Sequence, residues 1–207
     1  MKSALVIIDV QTCFTTPNEA YDEAIAAGEP DVFFPRVNDL VIPKLQTLLA
    51  AYRSAELPIY FTEMGSLRAD GSDLPSALRQ ANTISIEATG NAVIPALDEP
   101  SSRTDARIAP GDDEIVFRKT TTGTLASTPL AQNLRALGCD HVSVAGIVTD
   151  CCVAQTSREL ADQDFSVTVI EDACASYNPA HHTAILEIFQ NFYGAVDSAD
   201  AVITSLT

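Results

Sequence analysis

The sequence predicts an α/β fold in which helices cover both faces of a mostly parallel sheet. Three observations predict it. Short apolar runs alternate with longer stretches at helical spacing, the signature of strand–helix units. No low-complexity tract, repeat or linker divides the 207 residues, so residues 1–207 read as a single domain with one full core. The chain opens on an unbroken apolar run, Ala4 to Ile8, that reads as a buried strand.

In chain order, Ala4 to Asp9 reads as a buried first strand. Val37 to Arg53 carries apolar residues at helical spacing, with Pro43 near the helix start or causing a kink. Pro58 to Thr62 gives the second strand and Glu114 to Arg118 the third. Leu130 to Leu137 is a helix closed by Gly138. His141 to Ile147 is the fourth strand, Cys151 to Asp162 a helix, and Ser166 to Ile170 the fifth strand. A helix over about Pro179 to Phe192 and a short strand near Ala195 complete a six-stranded, Rossmann-like, three-layer α/β/α arrangement. Two segments fall outside this alternation. Residues 15–36, rich in acids, alanines and prolines, read as a loop. Residues 64–113 form a long interval with turn signals at Asp70-Gly71 and Gly111-Asp112.

Composition excludes several classes of function. With 28 acidic and 12 basic residues the formal charge is −16, which repels phosphate backbones and anionic membranes; no nucleic-acid or membrane partner is expected. No apolar run reaches the roughly 18 residues of a membrane span. The run Ala4 to Ile8, closed by Asp9, is too short for a secretory signal, so a cytoplasmic location is expected. Five cysteines, at 13, 139, 151, 152 and 174, form no C-x-x-C pair, which suits a reduced compartment. No glycine-rich phosphate loop is present, and no cofactor is expected.

In open α/β sheets the ligand sits beyond the carboxyl ends of the strands. Asp9 ends strand one, Lys119 follows strand three, and Cys151 and Cys152 follow strand four, so three chemically capable groups fall at one sheet edge. A thiolate is the attacking form of cysteine, and a nearby ammonium and a helix N-terminus both favour it. Lys119 supplies the charge in this scheme, and Asp9 accepts the thiol proton and later activates water. Backbone N–H groups around Val148 to Cys152 are positioned to hold an oxyanion. Each residue alone has a plainer reading: a strand-end cap, a solvated lysine, a packed cysteine.

The strings around these residues carry a resemblance. Asp9-Val10-Gln11-x-x-Phe14 resembles the D-x-Q-x-x-F opening of the isochorismatase-like cysteine hydrolases. The run from Lys119 through Gly123 to Thr128 is similar to their lysine segment. Gly146-Ile147-Val148-Thr149-Asp150-Cys151-Cys152-Val153-x-x-Thr156 resembles their G-x-x-T-x-x-C-V-x-x-T signature, and Glu171-Asp172-Ala173 follows as it does there. The resemblance implies that Cys152, not Cys151, is the nucleophile, with Asp9 and Lys119 as partners. It further implies a cis Ile147–Val148 bond, with the N–H groups of Val148 and Cys152 as oxyanion donors. Gln11 and Phe14 face the substrate by the same resemblance, and Thr120 and Tyr177 are further candidates. The family's true isochorismatases lack the cysteine, and its metal-dependent nicotinamidases carry histidines after strand two, where Glu63 to Asp73 has none; no metal is expected.

The implied reaction is hydrolysis of a C–N bond in a small-molecule amide, carbamoyl or ureido substrate through an acyl-enzyme, releasing ammonia. Relatives act on N-carbamoyl amino acids, ureidoacrylate, biuret and simple amides, and the sequence does not choose among them. Arg68, Arg79 and Arg103 are candidates to pair with a substrate carboxylate. His141 is expected in a turn, and His181 and His182 as an exposed pair opening the last long helix. That helix's apolar bulk suggests a homo-oligomer. The alternatives are a catalytically silent scaffold and a thiol redox protein using Cys151 and Cys152.

Overall fold

A computed structural model describes residues 2–17 and 31–206. Its centre is a sheet of six strands, β1 Ser3–Ile8, β2 Ile59–Met64, β3 Ile115–Lys119, β4 His141–Ile147, β5 Ser166–Ala175 and β6 Ala195–Asp197. The order is β3-β2-β1-β4-β5-β6, and every pairing is parallel. The chain therefore winds outward one way from β1 and the other way from β4. Between the two lies the switch point where open parallel sheets form their crevice.

The side-chain period of two divides β1 between both layers. Leu5 and Ile7 join a core on one face, and Ala4, Val6 and Ile8 a core on the other. Both faces are covered, which is why this strand reads as an unbroken apolar run. On the first face packs α2, a helix over 33–54 built from Phe33–Arg36, a π turn Val37–Val41 and Ile42–Ser54. The terminal helix α7, Ala199–Ser205, lies there too. The other face holds α4, Leu130–Ala136, α5 over 149–161, and α6, Pro179–Phe192. Two further helices, α1 Thr12–Thr15 and α3 Ser76–Thr89, flank the sheet's carboxyl edge.

Several expectations are corrected here. The expected loop over 15–36 is helical in part: Thr15 belongs to α1, and α2 begins at Phe33 rather than at Val37. The Asp31 carboxylate accepts the N–H groups of Phe33 and Phe34, capping a first turn whose two phenyl rings are buried. Residues 18–30 of that segment lie outside the described residues. Pro43 sits well inside α2, two residues after the π turn, where its ring removes an N–H donor.

The interval 64–113 contains α3, invisible to apolar periodicity because its buried face is polar. Asn82 exchanges two hydrogen bonds with the Ile94 backbone, and the Ser85 hydroxyl donates to the Asn91 carbonyl. Strand β5 runs on to Ala175 past an irregularity in its pairing with β4, so Glu171-Asp172-Ala173 lies within the strand. His141 is the first residue of β4, with its ring between the Ser3 and Thr168 hydroxyls at 3.0 Å each.

Candidate active site

Asp9 follows the last residue of β1 with φ at +52°, a left-handed conformation that Asp tolerates better than most residues. The bend turns its carboxylate over the sheet edge, where it is 2 % exposed. Its Oδ1 accepts the Thr62 hydroxyl at 2.6 Å, while its own N–H donates to Thr62 Oγ1 at 3.1 Å. Its Oδ2 lies 2.7 Å from Lys119 Nζ and accepts no further hydrogen bond.

Lys119, last in β3, is fully buried. Its ammonium donates to the carbonyls of Thr121 and Thr122 at 3.0 Å each and lies 3.1 Å from Met64 Sδ. Burial works against the charged form, but the Asp9 carboxylate outweighs it and holds the ammonium above its ordinary pKa.

Cys152 sits inside the first turn of α5, a π turn Thr149–Val153 that begins after the β4 strand end and a cis Ile147–Val148 bond. Gly146 admits β4 this close to β1: at φ +122° it faces the Ile8 backbone, and a Cβ there would collide with the Ile8 carbonyl oxygen. A hydrogen bond with Cys151, and burial with it, pushes the Cys152 thiol well above the ordinary thiol pKa, and Lys119 opposes them. Cys152 therefore rests as a thiol. The same hydrogen bond, helped by Lys119, brings the exposed Cys151 thiol down to about 7.

The turn that carries Cys152 is braced from behind. Arg36 Nη2 lies 3.2 Å from His182 Nε2; a guanidinium only donates, so Nε2 accepts and Nδ1 carries the ring proton. That Nδ1–H donates to Thr149 Oγ1 at 2.8 Å. Burial, with the Arg36 charge, lowers the His182 pKa to about 4, which keeps the ring neutral. Asp150 accepts the Ser176 hydroxyl at 2.7 Å and lies 3.1 Å from His181 Nδ1. The expected exposed histidine pair is thus half right: His181 is exposed, and His182 is built into the fold. Thr156 ties α5 to the lysine segment, its hydroxyl accepting the Thr124 N–H at 3.2 Å.

A cavity of about 340 Å³ opens in front of Cys152, and Asp9, Phe14, Val148 and Tyr177 line it as expected. Gln11 and Thr120 do not. The Gln11 side chain is completely buried and clasps backbone, donating to the Met64 and Ser102 carbonyls and accepting the Met64 N–H. The Thr120 N–H donates to Ser127 Oγ at 3.3 Å, and Thr122, not Thr120, lines the wall. Sequence reasoning missed Thr62 and Met64, although both end β2 at the same edge as Asp9 and Lys119. It also missed Leu78 and Ile94, which no motif marks. Among the described residues, no group of three His, Cys, Asp or Glu side chains is gathered to hold a metal ion, and no helix is long and apolar enough to cross a membrane.

A buried carboxylate–ammonium pair beside a cysteine at a helix start, gathered at the switch point, defines the candidate site of an open parallel-sheet α/β protein. The isochorismatase domain model matches residues 3–201, and the chain belongs to the isochorismatase family. An uncharacterized isochorismatase family protein, YecD of Escherichia coli O157:H7, is 25% identical over 204 residues, 99% of this chain and 96% of that one. Among solved structures, a cysteine hydrolase from Pseudomonas syringae pv. phaseolicola 1448A superposes with TM-score 0.82 at 22% identity, covering 99% of this chain and 92% of that one. N-carbamoylsarcosine amidase from Thermoplasma acidophilum does so with TM-score 0.70 at 21% identity, covering 97% and 98%.

Proposed function

We propose that this protein hydrolyses the C–N bond of a small amide, carbamoyl or ureido compound through a thioester on Cys152. The observation that carries the reading is the gathering of three buried groups from three separated segments, Asp9 and Cys152 on the wall of one cavity and Lys119 directly behind Asp9. Asp9 Oδ2 takes the thiol proton as Sγ attacks the carbonyl carbon. The N–H groups of Val148 and Cys152 receive the oxyanion. Collapse breaks the C–N bond, and the nitrogen leaves as ammonia with the proton held by Asp9. Water then gives a proton to Asp9 and attacks the thioester; the C–S bond breaks and the sulfur recovers that proton. Lys119 remains protonated throughout, and its charge offsets the thiolate and the carboxylate.

Ammonia release from a panel of amides, N-carbamoyl amino acids, biuret and ureidoacrylate tests the reading, wild type beside Cys152→Ser and Cys151→Ser. Turnover lost in Cys152→Ser and kept in Cys151→Ser is expected. Turnover that depends on Cys151, or is untouched in Cys152→Ser, rejects it. The exposed Cys151 with its lowered pKa favours thiol redox chemistry as a second reading, which predicts peroxide or disulfide turnover lost on Cys151→Ser. A cytoplasmic location and a homo-oligomer built on the outer face of α6, where Ile188 and Phe192 are exposed, complete the proposal.

A further inference from the structure

The walls of the cavity in front of Cys152 are apolar. Phe14, Met64, Leu78, Val93, Ile94 and Tyr177 supply most of the surface a ligand would meet. Among the described residues, the charged side chains that reach it are both acidic, Asp9 and Asp150. Among the described residues, no arginine, lysine or histidine lines it. Lys119, the nearest cation, is buried behind Asp9 with its protons directed to Asp9 and two backbone carbonyls.

The three arginines that sequence reasoning offered as carboxylate clamps are engaged elsewhere. Arg68 pairs with Asp70, Arg79 donates to the Leu74 carbonyl, and Arg103 pairs with Glu63. A carboxylate entering this cavity would lose its water, meet apolar walls and face the Asp150 carboxylate without a cation to answer it. The formal charge of −16 adds long-range repulsion to the same end.

We infer that the substrate is an uncharged amide or urea with a compact apolar body, and that the site rejects compounds carrying a free carboxylate, N-carbamoyl amino acids and ureidoacrylate included. The inference rests on the hydrolase reading above for its reaction, and on the cavity alone for its selectivity. The volume of about 340 Å³ lies at the small end of ligand pockets, which suits a body the size of one aromatic ring or a short branched chain. The amide end faces Cys152, and the apolar body lies against Leu78, Ile94, Phe14 and Tyr177.

Two measurements test it on the wild-type protein, with modification of Cys152 resolved from that of Cys151 by peptide fragmentation. The first compares kcat/KM for matched amides, benzamide against 4-carboxybenzamide and butylurea against N-carbamoyl-4-aminobutyrate. The neutral member of each pair is expected to be preferred by about a hundred-fold or more, the consequence of burying an unpaired charge. A carboxylate member turned over as well as its neutral partner overturns the inference and leaves the hydrolase reading standing.

The second measurement needs no turnover. Cys152 is alkylated with iodoacetamide and with iodoacetate, and the ratio of rates is compared with that of glutathione. A ratio shifted at least ten-fold towards iodoacetamide is expected, and Leu78→Arg, which places a cation on the wall, should return it towards the glutathione value. An unshifted ratio, or one favouring iodoacetate, overturns the inference. If iodoacetamide is favoured but neither amide pair is hydrolysed, the reaction proposed above fails and the selectivity of the cavity stands.

Discussion

Replacing Asp9 by Asn leaves the Lys119 ammonium buried without its counter-charge. Asn is the apt replacement because it also tolerates the positive φ at this position, so the backbone turn is preserved and the charge alone is removed. Both partners are buried, Lys119 at 0 % and Asp9 at 2 % exposure of the side chain, with 2.7 Å between the charged atoms. Removing one member of such a pair costs about 3–5 kcal/mol, whereas removing both is far less damaging. At about 2–4 °C per kcal/mol for a chain of this size, Asp9→Asn should lower Tm by roughly 6–20 °C.

Lys119→Met should cost at least as much, because it also leaves the Thr121 and Thr122 carbonyls without their donor. The double variant should be more stable than the sum of the singles by roughly 3 kcal/mol, the coupling of a buried pair. Thermal and urea denaturation of the four proteins close the cycle. Additive losses, or a single variant as stable as wild type, would refute the claim that the two charges hold each other in place. The double variant should regain stability without regaining hydrolysis, which separates the structural role of the pair from its proposed catalytic one.

Four further outcomes are expected. Stability should fall as pH drops from about 6.5 to about 4, because His182 stays neutral in the fold while the unfolded ring takes up a proton. The loss should be at most roughly 3 kcal/mol, and His182→Gln should flatten it; an unchanged slope in urea melts of that variant would contradict the assignment. A second loss should follow between about 3.8 and about 2, where Asp105, held low by its Arg107 partner, takes up its proton in the unfolded chain first. Gly146→Ala should lose more than about 3 kcal/mol or fail to give soluble protein, since a Cβ at positive φ meets the Ile8 carbonyl; a wild-type melting curve would contradict the packing described. Peptide mapping after brief iodoacetamide treatment should find Cys151 modified first and Cys13 and Cys174 untouched, because Cys151 is exposed with its pKa lowered to about 7 while burial pushes the other two up to about 12. Labelling of Cys13 or Cys174 at a comparable rate would contradict that order.

Much of this architecture is legible in the sequence, for a physical reason. Parallel strands buried on both faces must be apolar throughout, so β1 and β4 stand out, and the residues just past their ends, Asp9 and Cys152, are where an open sheet binds its ligand. Lys119 was found by the same rule. Met64 and Thr62 obey it too, but a methionine and a threonine at a strand end also suit ordinary packing, and only the distances to Lys119 and Asp9 give them away. Helix α3 left no signal because it buries Asn82 and Ser85 while exposing Ile84 and Ile86, the reverse of an amphipathic pattern. The role of His182 depends on contacts with Arg36 and Thr149, 146 and 33 residues away, and no local pattern encodes those distances.

The central claim is that Cys152 carries the acyl group, and an acid-quenched turnover mixture tests it most directly. With a substrate found in the panel, intact-protein mass followed by peptide mapping should show the acyl mass on the peptide containing Cys151 and Cys152. Fragmentation should place it on Cys152, and the adduct should be absent from Cys152→Ser. An acyl group on Cys151, or hydrolysis persisting in Cys152→Ser, would contradict the account.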